Sequence, residues 1–144
     1  SMIESSMMIN DRMPEYCVER AGKILNRHKK AMNGAKVLLL GVSYKQDIDD
    51  YRESPAFRVW DHLRYSGAKV EYYDPWVPKC TYKGRNYESI PVLTPEVVAG
   101  YDLVIITTGH TDVDYPMVQK NAQAIFDTKN VMKHIKDRTN IEVL

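Results

Sequence analysis

Hydrophobic positions along the chain change period several times, and the changes mark its elements. Within residues 14–32, Cys17, Val18, Ala21, Ile24, Leu25 and His28 recur at steps of three and four, which is one apolar stripe on an α-helix. Pro14 suits a first helical turn, where its missing N–H costs nothing. Arg27, Lys29 and Lys30 fall in the last turns, where the helix dipole favours cations, and Asn33-Gly34 is expected to end the helix with a left-handed cap. Residues 36–42 form an apolar run without alternation, the pattern of a strand buried on both faces of a parallel sheet. Ser54-Pro55 then opens a helix by capping, with Ala56, Val59, Trp60 and Leu63 as its stripe and Gly67 at its end. Residues 69–73 predict a second strand, broken by Asp74-Pro75, which completes a β-α-β unit. Residues 81–87 fit either a small hairpin or an irregular loop. Thr94-Pro95-Glu96 starts a short helix that runs to Gly100, and residues 102–107 predict a third buried strand. A short helix over 114–121 places Pro116 in its first turn. Residues 124–127 predict a fourth strand and 140–144 an edge strand. Strands alternating with helices imply a three-layer, Rossmann-like α/β domain with a mostly parallel sheet, preceded by one N-terminal helix. Its crossovers are expected to be right-handed.

Composition narrows the function without supplying one. The 144 residues carry 20 Lys and Arg against 19 Asp and Glu, a net charge of +1, so a dedicated nucleic-acid binder, which needs a basic excess, is not expected. The length fits one domain. The longest apolar run, residues 37–42, is far short of a membrane span. Met7, Met8 and Ile9 are too few for a secretory leader, Ser1-Met2 reads as a cloning remnant, and a cytoplasmic location is expected. Cys17 and Cys80 show no ligand spacing, so no zinc or other metal site is expected. They read as free packing or surface thiols.

Ligands of such sheets bind beyond the carboxyl ends of the strands, where residues 43–52, Asp74, 107–112 and 127–130 converge. A dinucleotide loop needs Gly-x-Gly-x-x-Gly. Here Gly41 stands alone, so a self-contained NAD site is not expected. Asp74 reads as the cap of the Asp-Pro turn. Tyr44-Lys45 offers a ring for stacking and an ammonium for a phosphate, or else a solvated loop lysine. Arg52 has Asp47, Asp49 and Asp50 for ion pairs, and Asp49-Asp50 alone is weak evidence of a metal pair. His110, near Asp112 and Asp114, is either a general base or a loop histidine without a role. His28, His62 and His134 read as helix-surface residues.

The run Gly41-Val42-Ser43-Tyr44-Lys45-Gln46-Asp47-Ile48-Asp49-Asp50-Tyr51-Arg52-Glu53-Ser54-Pro55 resembles the signature of the UDP-glucose/GDP-mannose dehydrogenase family, in its C-terminal domain. Gly67-Ala68-Lys69-Val70, Tyr73-Asp74-Pro75, the 102–107 strand and Phe126-Asp127-Thr128-Lys129-Asn130 are similar to later parts of that domain. The resemblance implies a C-terminal UDP-sugar-binding domain over residues 34–144 and the end of a connecting, dimerising helix over 3–33. It implies an oxidoreductase that uses NAD to take a sugar C6 alcohol to a carboxylate in two steps, through a Cys thiohemiacetal. The family's Gly-rich NAD motif and catalytic Cys segment are absent from this sequence, so no catalytic residue is assigned and the chain alone is expected to be inactive.

Carried over by position, Tyr44 and Lys45 match the substrate-contacting pair, and Arg52 matches an arginine reaching towards NAD. Lys129 falls where many members have an arginine, keeping the charge but losing the fork. Ile48-Asp49-Asp50, the His110 loop with Asp114-Tyr115, and residues 127–130 are most similar to the UDP-N-acetyl-hexosamine 6-dehydrogenase branch. That implies UDP-N-acetylglucosamine or UDP-N-acetylmannosamine as substrate and a place in bacterial polysaccharide synthesis. A homodimer or higher homo-oligomer of the full-length protein is expected. The competing readings are a stand-alone nucleotide-binding module and an oligomer-building role for the 14–32 helix, both without catalysis.

Overall fold

The computed structural model describes residues 2–144, with side-chain surroundings from Arg12 onward. In chain order the elements are α1 (Met2–Arg27), β1 (Lys36–Leu40), α2 (Ala56–Tyr65), β2 (Lys69–Tyr73), β3 (Lys79–Tyr82), β4 (Arg85–Glu88), α3 (Pro95–Ala99), β5 (Leu103–Ile106), α4 (Tyr115–Asn121), β6 (Ile125–Asp127) and β7 (Ile141–Val143). Five strands form one sheet in the order β2-β1-β5-β6-β7, and every neighbouring pair is parallel.

Each central strand is buried on both sides because each face of the sheet has its own core. Val37 and Leu39 of β1, Leu103 and Ile105 of β5 and Phe126 of β6 pack with Ala21, Leu25, Phe57, Trp60 and Leu63 of α1 and α2. The alternate residues Leu38, Leu40, Val104, Ile106 and Ile125 pack with Val98 and Val118 of α3 and α4. Side chains of a strand point alternately to its two faces, so a run such as Val37-Leu38-Leu39-Leu40 supplies both cores at once. This is the three-layer arrangement expected from the unbroken apolar runs.

Two local expectations change, and one open alternative is decided. Pro14 lies inside α1 rather than in its first turn. The helix also stops before Gly34: Lys29 takes the left-handed conformation (φ 60°). The Lys29 amide donates to the Asn26 carbonyl (3.0 Å) and the Lys30 amide to the Leu25 carbonyl (2.9 Å), the paired bonds of a Schellman ending. The 81–87 segment resolves as a hairpin, β3 pairing antiparallel with β4. Its two-residue turn, Lys83-Gly84, has positive φ at both positions, the hallmark of a tight hairpin turn. Aromatic contacts with α2 hold it: Phe57 stacks on Tyr82 and Trp60 tilts against Tyr87, both at 4.9 Å between centroids.

Candidate functional site

The chain leaves β1 for β2 on one side of the sheet and reaches β5 on the other, so the order reverses between β1 and β5. Two loops diverge there at the carboxyl edge, which opens a crevice. Gly41, at the end of β1, has φ 88°. A Cβ on it would strike the Thr108 carbonyl oxygen and lie 2.6 Å from Thr108 Cβ, so only glycine lets the two strand ends approach so closely.

Tyr44, Lys45 and Gln46, after β1, face Thr108 and Gly109, after β5, and Lys129 and Val131, after β6, around a cleft of about 420 Å³. The structure thus brings together three of the four residues singled out in the sequence. The Lys45 ammonium lies 5.8 Å from the centroid of the Tyr44 ring, and Tyr44 is 49% exposed, so ring and charge are both open to a ligand. Lys129 is aimed by Asp127, which is buried at the end of β6. The Asp127 carboxylate accepts from the Lys129 amide (3.1 Å) and the Met132 amide (2.8 Å). Gly109 lets this turn close in, because a Cβ there would strike Val131.

Arg52 does not line the cleft. Its guanidinium makes a fork onto Asp50, with Nε and Nη2 each donating at 3.1 Å. Those bonds raise its pKa and hold the Asp50 carboxyl below its ordinary value. Gln46, Thr108, Gly109 and Val131 complete the lining; the first three fall in the segments expected to converge, without a role of their own, and Val131 lies one residue beyond them. They are short or neutral, and only the packing of three loops puts them on one wall. A larger hollow, about 500 Å³, lies between α2 and the β3–β4 hairpin. Of its cations, Lys83 pairs with Asp61 and Arg64 donates to the Tyr87 hydroxyl; it is not at the carboxyl edge.

Beneath the cleft is a buried polar cluster. One oxygen of Asp74, which is 1% exposed, accepts from the amides of Val42 (2.8 Å) and Ser43 (3.1 Å) and meets His110 Nε2 at 2.9 Å. Its other oxygen accepts from the Trp76 amide at 2.8 Å, the turn cap expected from the sequence. The carboxylate is therefore consumed, and the acid that could hold a cofactor ribose in a dinucleotide fold is unavailable to a ligand. Together with the lone Gly41, this means the loop after β1 does not fit a dinucleotide pyrophosphate. His110 is 0% exposed, so it is neither a surface loop residue nor placed to exchange a proton with a ligand in the cleft. Both thiols are buried, and Cys17 sits in a small pocket that Thr107, Thr128 and Lys129 also line. Desolvation pushes the pKa values of Cys17 and Cys80 up, the opposite of an activated nucleophile. Among the described residues there is no cluster of three or more His, Cys, Asp or Glu able to hold a metal ion, and no helix is long and apolar enough to cross a membrane.

Fold and cleft together define the class: a doubly wound α/β domain with a lysine-lined cleft at the point where its strand order reverses. The chain belongs to the UDP-glucose/GDP-mannose dehydrogenase family, whose UDP binding domain matches residues 38–134. It is 30% identical over 142 residues to a UDP-N-acetyl-D-mannosamine dehydrogenase of Methanococcus maripaludis, covering 92% of this chain and 31% of that protein. It is 29% identical to a UDP-N-acetyl-D-glucosamine 6-dehydrogenase of Salmonella typhi, covering 91% and 32%. The solved NDP-N-acetyl-D-galactosaminuronic acid dehydrogenase of Methanosarcina mazei superposes over 100% of this chain and 31% of its own, with a TM-score of 0.79 and 26% identity. The chain thus spans about a third of the length of these relatives. They come from archaea and bacteria, so they do not single out the bacterial setting expected from the sequence.

Proposed function

We propose that this chain is the UDP-sugar-binding part of an NAD-dependent nucleotide-sugar 6-dehydrogenase acting on a UDP-N-acetylhexosamine. In this reading residues 34–144 are the binding domain and residues 3–33 end the helix that connects it to the rest of the protein. The single observation that supports the reading best is the meeting of Tyr44, Lys45 and Lys129 around one cleft at the switch point. Two ammonium groups on the walls of one cleft suit the two phosphates of a nucleoside diphosphate. An ammonium acts as a compact point charge that needs no fixed approach angle, and Tyr44 offers a face to a ring.

The chain's own residues bind and orient. They do not supply the oxidant's site or the nucleophile. NAD would be held mainly by polypeptide outside these residues, with the exposed Arg52 leaving Asp50 to reach towards it. The acetamido sugar is favoured over a plain hexose because the named relatives act on N-acetylated sugars or are named for them.

Calorimetric titration of the chain with UDP tests this. A charge-assisted bond to phosphate contributes about 1.5–3 kcal/mol, so Lys45→Ala and Lys129→Ala should each weaken UDP by roughly ten- to a hundredfold. Lys79→Ala, on the β3–β4 hairpin with its ammonium 3.9 Å from Glu88, should leave the affinity unchanged. Equal affinities across the three variants would sink the site.

A further inference from the structure

We infer that His110 is a positioning residue: a single buried imidazole fastens both ends of the Tyr44–Gln46 turn and so holds it in the shape that receives the diphosphate. The inference rests on the reading of the cleft given above. The two ends of the turn are Ser43 and Asp47. Ser43 Oγ lies 3.1 Å from His110 Nε2, and the Asp47 amide donates to His110 Nδ1 at 2.8 Å. An amide N–H only donates, so Nδ1 carries no proton, and the one ring proton sits on Nε2, shared between Asp74 Oδ2 at 2.9 Å and Ser43 Oγ at 3.1 Å. The ring therefore accepts from the Asp47 end of the turn and donates both to the Ser43 end and to Asp74.

Every other bond of the turn is consistent with this arrangement. The Ser43 hydroxyl donates to the Lys45 carbonyl at 2.7 Å, and the Ser43 carbonyl accepts from the Thr108 hydroxyl at 2.7 Å. Asp47 has a left-handed backbone (φ 60°), an uncommon state for a residue with a side chain that must be held by its surroundings. Its carboxylate accepts from the Thr111 amide (2.9 Å) and hydroxyl (2.8 Å). Tyr44, Lys45 and Gln46 are exposed between these anchors, and none of their side chains is needed to hold the turn. The residues offered to the ligand are thus fixed by residues that never touch it. Preorganisation of this kind raises affinity by removing the ordering cost at binding.

Two substitutions separate the two sides of the ring. His110→Gln places an amide donor near Nε2 and loses the Nδ1 acceptor. His110→Asn places a carbonyl acceptor near Nδ1 and loses the Nε2 donor. Each is made in the 144-residue chain, with UDP as the probe, and read by calorimetry, thermal midpoint and backbone amide exchange at Tyr44 and Asp47, whose amides donate to the Asp50 carbonyl (2.7 Å) and to His110 Nδ1. His110→Gln should raise the Kd for UDP about tenfold and speed exchange of those amides about tenfold, with little change in midpoint. His110→Asn, which frees the Ser43 end and leaves Asp74 without its buried donor, should lower the midpoint and raise Kd about threefold. If both folded variants bind UDP as the wild type does, His110 is only a core residue and the inference is overturned. Where His110→Gln does not fold, Ser43→Ala removes the hydroxyl at the other end of the turn and should raise Kd about threefold; an unchanged Kd overturns the inference as well. If the wild type itself binds no UDP, the ligand reading fails and amide exchange still decides the anchor: unaccelerated exchange in His110→Gln refutes it.

Discussion

At the scale of single residues, the chemistry of the cleft depends on which cations stand at strand ends. Lys45 follows an aromatic in a long, distinctive motif, so it is recognisable from the chain alone. Lys129 stands where many family members carry arginine, and the structure puts it on the cleft wall with Lys45. Restoring the fork should therefore tighten the site: Lys129→Arg is expected to lower the Kd for UDP about threefold, since a guanidinium can bond two phosphate oxygens at once. A weaker complex by titration would mean that the wall is shaped for an ammonium. Asp74 and His110 show the opposite case. The turn cap of Asp74 is readable because it bonds the Trp76 amide two residues on. Its bonds to Val42, Ser43 and His110 span 31 to 36 positions, and no local pattern announces them. His110 looks like a loop residue for the same reason; its burial is produced by three strand ends meeting over it.

At the scale of elements, most boundaries follow local rules. Thr94 caps α3 by accepting from the Val97 amide at 3.2 Å, and Asp114 caps α4 through the Met117 amide at 3.1 Å, both where the sequence placed the starts. The end of α1 is decided otherwise. Lys30, just past the helix, pairs with Asp102 at the start of β5, and the same carboxylate accepts from the Lys36 amide of β1 at 2.8 Å. That tie competes with continuing the helix to Gly34. Burial pulls the Asp102 carboxyl up, but the bonds from Lys30 and Lys36 outweigh it and hold its pKa below 3.8. A carboxyl depressed in the folded state adds stability that is present above its unfolded value and is lost as pH falls through the folded one. Asp102→Asn should therefore lower the urea midpoint at pH 7 by the equivalent of about 1 kcal/mol. The gap from wild type should close as pH drops below about 3.8. A gap that persists in acid would show that shape, and not charge, links α1 to the sheet.

At the scale of the whole molecule, what the chain contains bounds what it can do. The loop after β1 has one glycine and a consumed acid, and the two thiols are buried with raised pKa values. Mixed with NAD and UDP-N-acetylglucosamine, the 144-residue chain should produce no NADH absorbance above a protein-free blank. Turnover by the pure chain would mean that a nucleophile and a cofactor site exist within it and that the assignment of roles is wrong. Binding without turnover is the behaviour expected of a chain that spans about a third of its relatives' length.

The sequence by itself determined the layers, the parallel sheet, the family and the two lysines that line the cleft. Each of these rests on short-range signals: unbroken apolar runs, capping residues and a fifteen-residue motif. The strand order, the meeting of Lys45 with Lys129 and the burial of His110 were decided only by tertiary structure. They depend on residues 31 to 84 positions apart being brought together by packing, and the forces that bring them together, burial on two faces of one sheet and the sharing of one buried carboxylate by several strand ends, act on the assembled sheet and leave no periodic trace along the chain.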